Sequence, residues 1–336
     1  MKAVRTDGEL ECPGIDAALR ERGVDLVVLP DGVSEDRLVK EIADADLLLM
    51  CYTAVTARVI AVAQNLKGIV KYGVGIDAID IAAARRRGIP VVNVPEYAEE
   101  TVAEGAFALM IALAKRLPAI SRKMASDGWV WPEMHWIGND IADSTVGLVG
   151  CGKIGRSMAR MAGQGFRAKV LGFDPYVDAA TMAAHGVEKV DDLKTMLRRC
   201  DFVTVHCVLN DATRGLIGRD ELACLKPSAV LVNVSRGALI DEAALVEAVV
   251  VGRIGGLGVD VYSQEPLSPT GHPMSPLYGR DNVILFPHLT FFTREAHERL
   301  ERDTLARCWE VLEGRPVTIR SHDPRLRAQE AGVVFA

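Results

Sequence analysis

Thr145-Val-Gly-Leu-Val-Gly150-Cys-Gly152-Lys-Ile-Gly155-Arg-Ser-Met is the stretch whose reading decides the fold. A short apolar strand runs directly into three glycines, and a helical segment over 156–162 follows. A glycine pattern alone is an ordinary strand-to-helix turn. In this context the first glycine permits the tight turn and the second lets backbone approach a pyrophosphate. The third lets the helix pack on its strand, and the positive end of the helix attracts the anion. Asp174 ends the next apolar strand nineteen residues after Gly155, where a carboxylate can accept hydrogen bonds from both hydroxyls of a ribose. The segment therefore reads as a dinucleotide site. Pro-Tyr-Val-Asp follows Asp174 with no arginine to offset a 2′-phosphate, so NAD is expected over NADP.

Outward from the glycine loop, short apolar runs alternate with helical ones. Strands are predicted at 145–150, 169–174, 202–206, 230–233, 256–261 and 283–286, six in all, as in a complete doubly wound sheet. A second alternation precedes it, with strands at 25–29, 46–50, 68–72 and 91–94. An amphipathic helix is predicted from about Glu99 to Lys115, and another from Arg294 to Glu313 with its natural place back on the first alternation. The fold class is α/β, with two doubly wound parallel-sheet domains: residues 1–98 plus 290–336 form one, and 99–289 the inserted nucleotide domain. Gly128-Trp-Val-Trp-Pro-Glu-Met-His-Trp136 fits neither period and reads as a loop. Its Trp129, Trp131 and Trp136 are packing residues first, with contact to substrate or a partner subunit as the sharper alternative.

Composition narrows the partners. The 336 residues are 49% hydrophobic, enough for two cores. Lys plus Arg number 39 against 45 Asp plus Glu, a net charge of -6 with no basic tract, so a nucleic-acid partner is not expected. The N-terminus has no apolar signal core, and no run approaches the ~18 apolar residues of a membrane span, so a cytoplasmic protein is expected. Seven scattered cysteines include no Cys-x-x-Cys pair and read as reduced, buried residues without a metal role.

Three further residues carry chemistry. Arg236 stands in Asn233-Val-Ser-Arg-Gly, Glu265 precedes Pro266, and His288 follows Pro287, at spacings of 29 and 23 residues. Singly, Arg236 can cap a sheet edge, Glu265 can serve a turn, and His288 can be a satisfied loop histidine. Together, each just beyond the carboxyl end of a predicted strand where open sheets bind ligands, they suit a 2-oxo acid: a guanidinium for its carboxylate, an imidazole to move a proton and an acid to tune the imidazole. His135, His185, His206, His272, His297 and His322 read as structural or solvated.

With the glycine loop, Asp174, the Arg236 block, Asp260-Val-Tyr-Ser-Gln-Glu265-Pro and Pro287-His288 in this order, the chain resembles the D-isomer-specific 2-hydroxyacid dehydrogenase family. Gly73-Val-Gly75-Ile-Asp77-Ala-Ile-Asp80, Asn93-Val-Pro95 and Glu100-Thr101-Val-Ala-Glu104 extend the likeness over nearly the whole length. The resemblance implies a flavodoxin-like substrate domain with a Rossmann NAD domain inserted in it. It also implies hydride transfer between NAD and a small 2-hydroxy or 2-oxo acid, with no metal. By the same resemblance Arg236 binds the carboxylate and polarises the carbonyl, His288 is the acid/base, and Glu265 holds His288. The backbone amides of Val74 and Gly75 complete the carboxylate cradle. Implied cofactor contacts are Gly150, Gly152, Lys153, Ile154, Gly155, Asp174, Cys207, Thr213, Val234, Ser235 and Asp260. Family members commonly pair through the nucleotide domain, and the apolar helix carrying Phe107, Leu109, Met110, Ile111 and Leu113 suggests the same homodimer here.

Several positions depart from the family's phosphoglycerate branch. Met50 stands where an arginine suited to phosphate is found, and the chain ends about twenty residues past the last helix, short of an appended regulatory domain. Phe291 and Phe292 replace small residues after His288, as in the D-lactate dehydrogenase and C-terminal-binding-protein branches, and hint at an apolar substrate wall. His206-Cys207-Val208-Leu209 lacks the family's usual proline near the nicotinamide. A phosphorylated acid is thus less expected. Two functions remain open at this level, a 2-hydroxyacid dehydrogenase and an NAD(H)-sensing interaction protein like the C-terminal-binding-protein corepressors.

Overall fold

The computed structural model describes residues 1–336, which fold as two compact units, Met1–Ala98 with Thr293–Ala336, and Glu99–Phe292.

The first unit begins with β1 (Lys2–Arg5), α1 (Pro13–Glu21), β2 (Asp25–Val28), α2 (Glu35–Ile42) and β3 (Leu47–Met50). It continues with α3 (Ala57–Val62), β4 (Gly68–Lys71), α4 (Ile81–Arg86) and β5 (Val91–Asn93). Capping side chains mark the helix boundaries: Ser34, Thr56 and Asp80 each accept a backbone N–H of the first turn, supplying an acceptor for one of the donors a helix start leaves unpaired. The five strands are parallel in the order β2-β1-β3-β4-β5, the flavodoxin-like order. β3 and β4 are buried along their whole length, as expected of central strands covered on both faces. β1 lies outside the strands predicted from the sequence, because Lys2 and Arg5 interrupt its short apolar run.

The second unit opens with α5 (Glu99–Ala114) and α6 (Leu117–Asp127). Then come β6 (Thr145–Val149), α7 (Lys153–Arg160), β7 (Lys169–Phe173), α8 (Ala179–Ala184), β8 (Glu188–Lys189) and α9 (Leu193–Arg199). The unit closes with β9 (Phe202–Val205), α10 (Arg219–Cys224), β10 (Val230–Asn233), α11 (Glu242–Val250), β11 (Gly256–Val259) and β12 (Val283–Leu285). The sheet is parallel, in the order β12-β11-β10-β9-β6-β7-β8, with the order reversing at β6 and β9. It has seven strands, one more than the six expected. The additional strand, β8, is a two-residue edge pairing with β7, too short to show any periodicity.

The reading of α5 as an interface helix needs correction here. Its apolar residues do not form a free face: Phe107, Leu109, Met110 and Leu113 are buried in the unit's own core beside Val230 and Val232. Large apolar side chains of this unit are exposed instead at Leu117 and in the tryptophan loop, at Trp129, Trp131, Met134 and Ile137. That segment is irregular apart from one short turn at Met134–Trp136.

The first unit is completed by α12 (Arg294–Leu312), β13 (Val317–Ile319), α13 (Pro324–Arg327) and β14 (Val333–Phe335). α12 packs on α1, β3 and β4. Gly68 makes the approach to β4 close, since a Cβ there would stand 2.7 Å from the Val311 side chain. No helix is long and apolar enough to cross a membrane.

Candidate active site

The glycine loop divides its work among three glycines. Gly150 has φ 96°, and a Cβ there would lie 2.7 Å from the amide nitrogen of Cys207. A Cβ on Gly155 would lie 2.3 Å from the carbonyl oxygen of Gly150, so this position closes the helix onto the strand. Around Gly152, the residue that starts α7, nothing stands within 4 Å of the added atom. Two glycines are demanded by packing, and the middle one leaves open backbone at a helix N-terminus, which suits a pyrophosphate.

Asp174 follows β7 with Oδ2 accepting from the Cys151 amide at 2.9 Å and Oδ1 from the Tyr176 amide at 2.8 Å. The carboxylate therefore ties the turn after β7 to the glycine loop, at the position where a ribose is expected. Lys153 and Ile154 open α7 beside it, and the Lys153 Nζ pairs with Glu99 at 3.0 Å.

Across the sheet, the remaining expected cofactor residues brace one another. Thr213 Oγ1 donates to the Val208 carbonyl at 2.7 Å and accepts from the Asn210 amide at 2.8 Å, holding the loop that contains Cys207. Ser235 Oγ donates to the Val205 carbonyl at 2.9 Å, and the Ser235 amide donates to Asn233 Oδ1 at 3.0 Å. Val234 is buried. Asp260, expected as a cofactor contact, is fully buried, and its carboxylate accepts the amides of Leu289 at 2.8 Å and Thr290 at 3.0 Å. Burial raises its pKa. We read Asp260 as the brace of the loop after β12.

That loop carries His288. Its backbone sits at φ 58°, a left-handed conformation that costs a β-carbon-bearing residue energy and is held here by the Asp260 bonds on its C-terminal side. Its Nδ1 lies 2.9 Å from Glu265 Oε2, while Glu265 Oε1 accepts the Tyr262 amide at 2.8 Å. Burial works to raise the pKa of Glu265, but the hydrogen bond and charge of His288, the Tyr262 amide and the charge of Arg236 together hold it below the usual carboxylate value. The imidazole and carboxylate side chains are 25% and 31% exposed, so the pair remains open to a substrate. The Phe291 ring stands edge-on to His288, centroids 6.4 Å apart, and Phe292 is exposed.

Arg236 follows β10. Its carbonyl accepts from Asn233 Nδ2 at 2.8 Å, and its Nη1 donates to the Ser235 carbonyl at 2.7 Å. The next residue is decisive for the geometry, although sequence reasoning does not single it out. A Cβ on Gly237 would stand 2.0 Å from the carbonyl carbon of Tyr262, so only glycine lets the Arg236 loop lie against the loop that delivers Glu265. The signal is present in Arg236-Gly237, but nothing local says which backbone the glycine must meet. Arg236, Glu265 and His288 are thus assembled beyond β10, β11 and β12, at the carboxyl edge of one parallel sheet.

Other candidates fall elsewhere. His206 is half-buried with a ring nitrogen 2.9 Å from Thr204 Oγ1, and desolvation of the ring pushes its pKa down to about 3, so it stays neutral. In the first unit, Val74 is exposed in the loop after β4, with its carbonyl accepting from Asn93 Nδ2 at 2.6 Å and Gly73 before it at φ 144°. Met50 is fully buried in β3.

Residues 107–290 match the family described as D-isomer specific 2-hydroxyacid dehydrogenase, NAD binding domain. The chain belongs to that family. Among its relatives, the D-3-phosphoglycerate dehydrogenase of Methanocaldococcus jannaschii is 37% identical over 289 residues, 86% of this chain and 54% of the relative. The glyoxylate reductase of Korarchaeum cryptofilum is 36% identical and covers 80% of both chains. The D-lactate dehydrogenase from Aquifex aeolicus, solved with NAD and lactic acid, superposes with a TM-score of 0.82 at 25% identity, covering 93% of this chain and 96% of that one. The chain spans about half the length of the phosphoglycerate dehydrogenases it matches. As a D-2-hydroxyacid dehydrogenase family member it has an NAD-binding domain in its second unit, and the open backbone at Gly152 with Asp174 beside it fits that dinucleotide.

Proposed function

We propose that this protein interconverts a small D-2-hydroxy acid and its 2-oxo acid with NAD as redox partner. The observation that carries the reading is the 2.9 Å contact of His288 Nδ1 with Glu265 Oε2, with the Arg236 charge acting on the same carboxylate. Bound NADH supplies the hydride.

In reduction, the guanidinium of Arg236 takes the substrate carboxylate and draws electron density from the carbonyl oxygen, a role suited to a planar two-pronged cation. With Nδ1 turned to Glu265, Nε2 is the nitrogen that gives the proton to that oxygen as it becomes a hydroxyl. Glu265 stays ionised and fixes the ring's orientation. Asp260 supports the reaction through the His288 loop and without touching substrate. By family resemblance, the amides of Val74 and Gly75 take the rest of the carboxylate. Asp174 favours NAD over NADP. Burial of Met50 and the aromatic pair after His288 favour an unphosphorylated acid. We further propose a cytoplasmic homodimer.

The test is oxidation of NADH by the purified protein with a panel of 2-oxo acids that includes glyoxylate, apolar acids and a phosphorylated one. Turnover with at least one acid, abolished in Arg236→Ala and His288→Ala, is expected. No turnover with any of them, despite NADH binding, would overturn the reading.

A further inference from the structure

Cys12, the residue that begins α1, meets His297 and Glu301 on α12, and the three ligand atoms all lie within 4.8 Å of one another. We propose that they form a divalent transition-metal site of the zinc class that staples α1 to α12.

The donor set is a thiolate, an imidazole and a carboxylate, all ordinary zinc ligands. His297 and Glu301 are four residues apart, which puts both on one face of α12, with Nε2 and Oε1 at 3.6 Å. Three atoms no more than 4.8 Å apart share a point within about 2.8 Å of each. Zinc sits roughly 2.0–2.3 Å from such ligands, so closing the site takes less than about 1 Å of movement per ligand. Charge also suits the metal, since a thiolate and a carboxylate neutralise a divalent ion. Arg5, the nearby cation, is already held by Asp16 at 2.8 and 2.9 Å. Cys12 is 1% exposed, whereas the His297 and Glu301 side chains are 20% and 17% exposed, which gives an entry path and a fourth position for water.

Glu301 also has an ordinary structural role, since its Oε1 accepts the Gly14 amide at 2.7 Å and so caps α1. The cap and the contact with His297 account for the carboxylate and the imidazole, and the Cys12 thiol adds the third donor at the same point. Burial pushes the Cys12 thiol up to about 12, so without metal it keeps its proton; binding replaces S–H by S–metal and releases that proton. The consequence is structural. The first unit is built from two segments far apart in the chain, and a metal tie between residues 12 and 297 joins them in the folded state alone.

The test uses the full chain, freed of metal with a chelator and titrated with cobalt(II). One equivalent should bind with a near-ultraviolet thiolate-to-cobalt charge-transfer band and the visible bands of a tetrahedral site, and zinc should displace it. Cys12→Ala should lose the charge-transfer band although six other cysteines remain. Glu301→Gln keeps an acceptor for the Gly14 amide but removes the anion. It should bind zinc at least tenfold more weakly, with its metal-free thermal midpoint near that of the parent. Zinc should raise the midpoint of the parent but not of Cys12→Ala. Failure to bind cobalt, or equal zinc affinity in the parent and Cys12→Ala, would overturn the proposal.

Discussion

His288 Nδ1 lies 2.9 Å from Glu265 Oε2, and the same Glu265 side chain accepts the Tyr262 amide through its other oxygen, so the carboxylate fixes the imidazole to the end of β11. His288 lowers the pKa of Glu265, so the carboxylate stays ionised until the pH falls below the usual carboxylate range, and the ionised group holds the ring through Nδ1. Glu265→Gln keeps the shape and removes the charge, so kcat/KM for 2-oxo acid reduction should fall by about tenfold or more, roughly 1.4 kcal/mol. Because the Glu265 pKa is lowered, the parent should keep its activity through the usual carboxylate range and lose it only below. Steady-state kinetics in both directions decide the matter, and a kcat/KM unchanged in the variant would show that Glu265 does not position His288.

Arg236→Lys retains a positive charge and loses the planar fork. The variant should raise KM for the 2-oxo acid and lower kcat together, by on the order of a hundredfold or more in kcat/KM, while NADH binding is kept. Steady-state kinetics with a fluorescence titration of NADH would check this. Parent-like turnover in Arg236→Lys would remove the carboxylate clamp from the mechanism.

The proposed role of Asp174 is to set cofactor choice. NADH should be preferred over NADPH by about tenfold or more in kcat/KM, since a 2′-phosphate would meet the carboxylate held by the Cys151 and Tyr176 amides. Asp174→Ser should narrow the gap. Equal efficiency with the two cofactors in the parent would refute the assignment.

Gly237→Ala forces a methyl to within 2.0 Å of the Tyr262 carbonyl carbon, and backbone on both sides leaves little room to yield. Overpacking of this kind should cost roughly 3 kcal/mol or more and displace the Arg236 loop from Glu265. Stability to denaturant and kcat/KM should both fall. A variant as stable and active as the parent would mean that the loops separate without consequence.

Leu117, Trp129, Trp131, Met134 and Ile137 are exposed, and the proposed homodimer is expected to cover them with a second copy. Light scattering should give about twice 36.3 kDa. Trp131→Glu should shift the protein towards monomer with its far-ultraviolet circular dichroism unchanged. A monodisperse parent monomer at assay concentration would exclude the dimer.

The order of the glycine loop, Asp174, Arg236, Glu265 and His288 along the chain is enough to recognise the family and the kind of chemistry. Local rules suffice there: strands and helices announce themselves by period, and a guanidinium, a carboxylate and an imidazole have few substitutes. The central strands are legible for the same reason, being continuous apolar runs buried on both faces. What the sequence leaves undecided depends on what each residue meets from far along the chain. Only the fold shows that the apolar side of α5 is consumed by β10 and β11 within its own unit, because an apolar helix face looks alike whether a sheet or another subunit covers it. Tertiary structure likewise gives Asp260, expected from the sequence as a cofactor contact, the place of a buried brace for the His288 loop, and makes Gly237 irreplaceable by setting Tyr262 against it. It also brings Cys12 beside His297 and Glu301, whose ends of the chain no spacing rule connects. Distances of this kind are set by the packing of whole elements, and a sequence window of one helix or strand does not contain them.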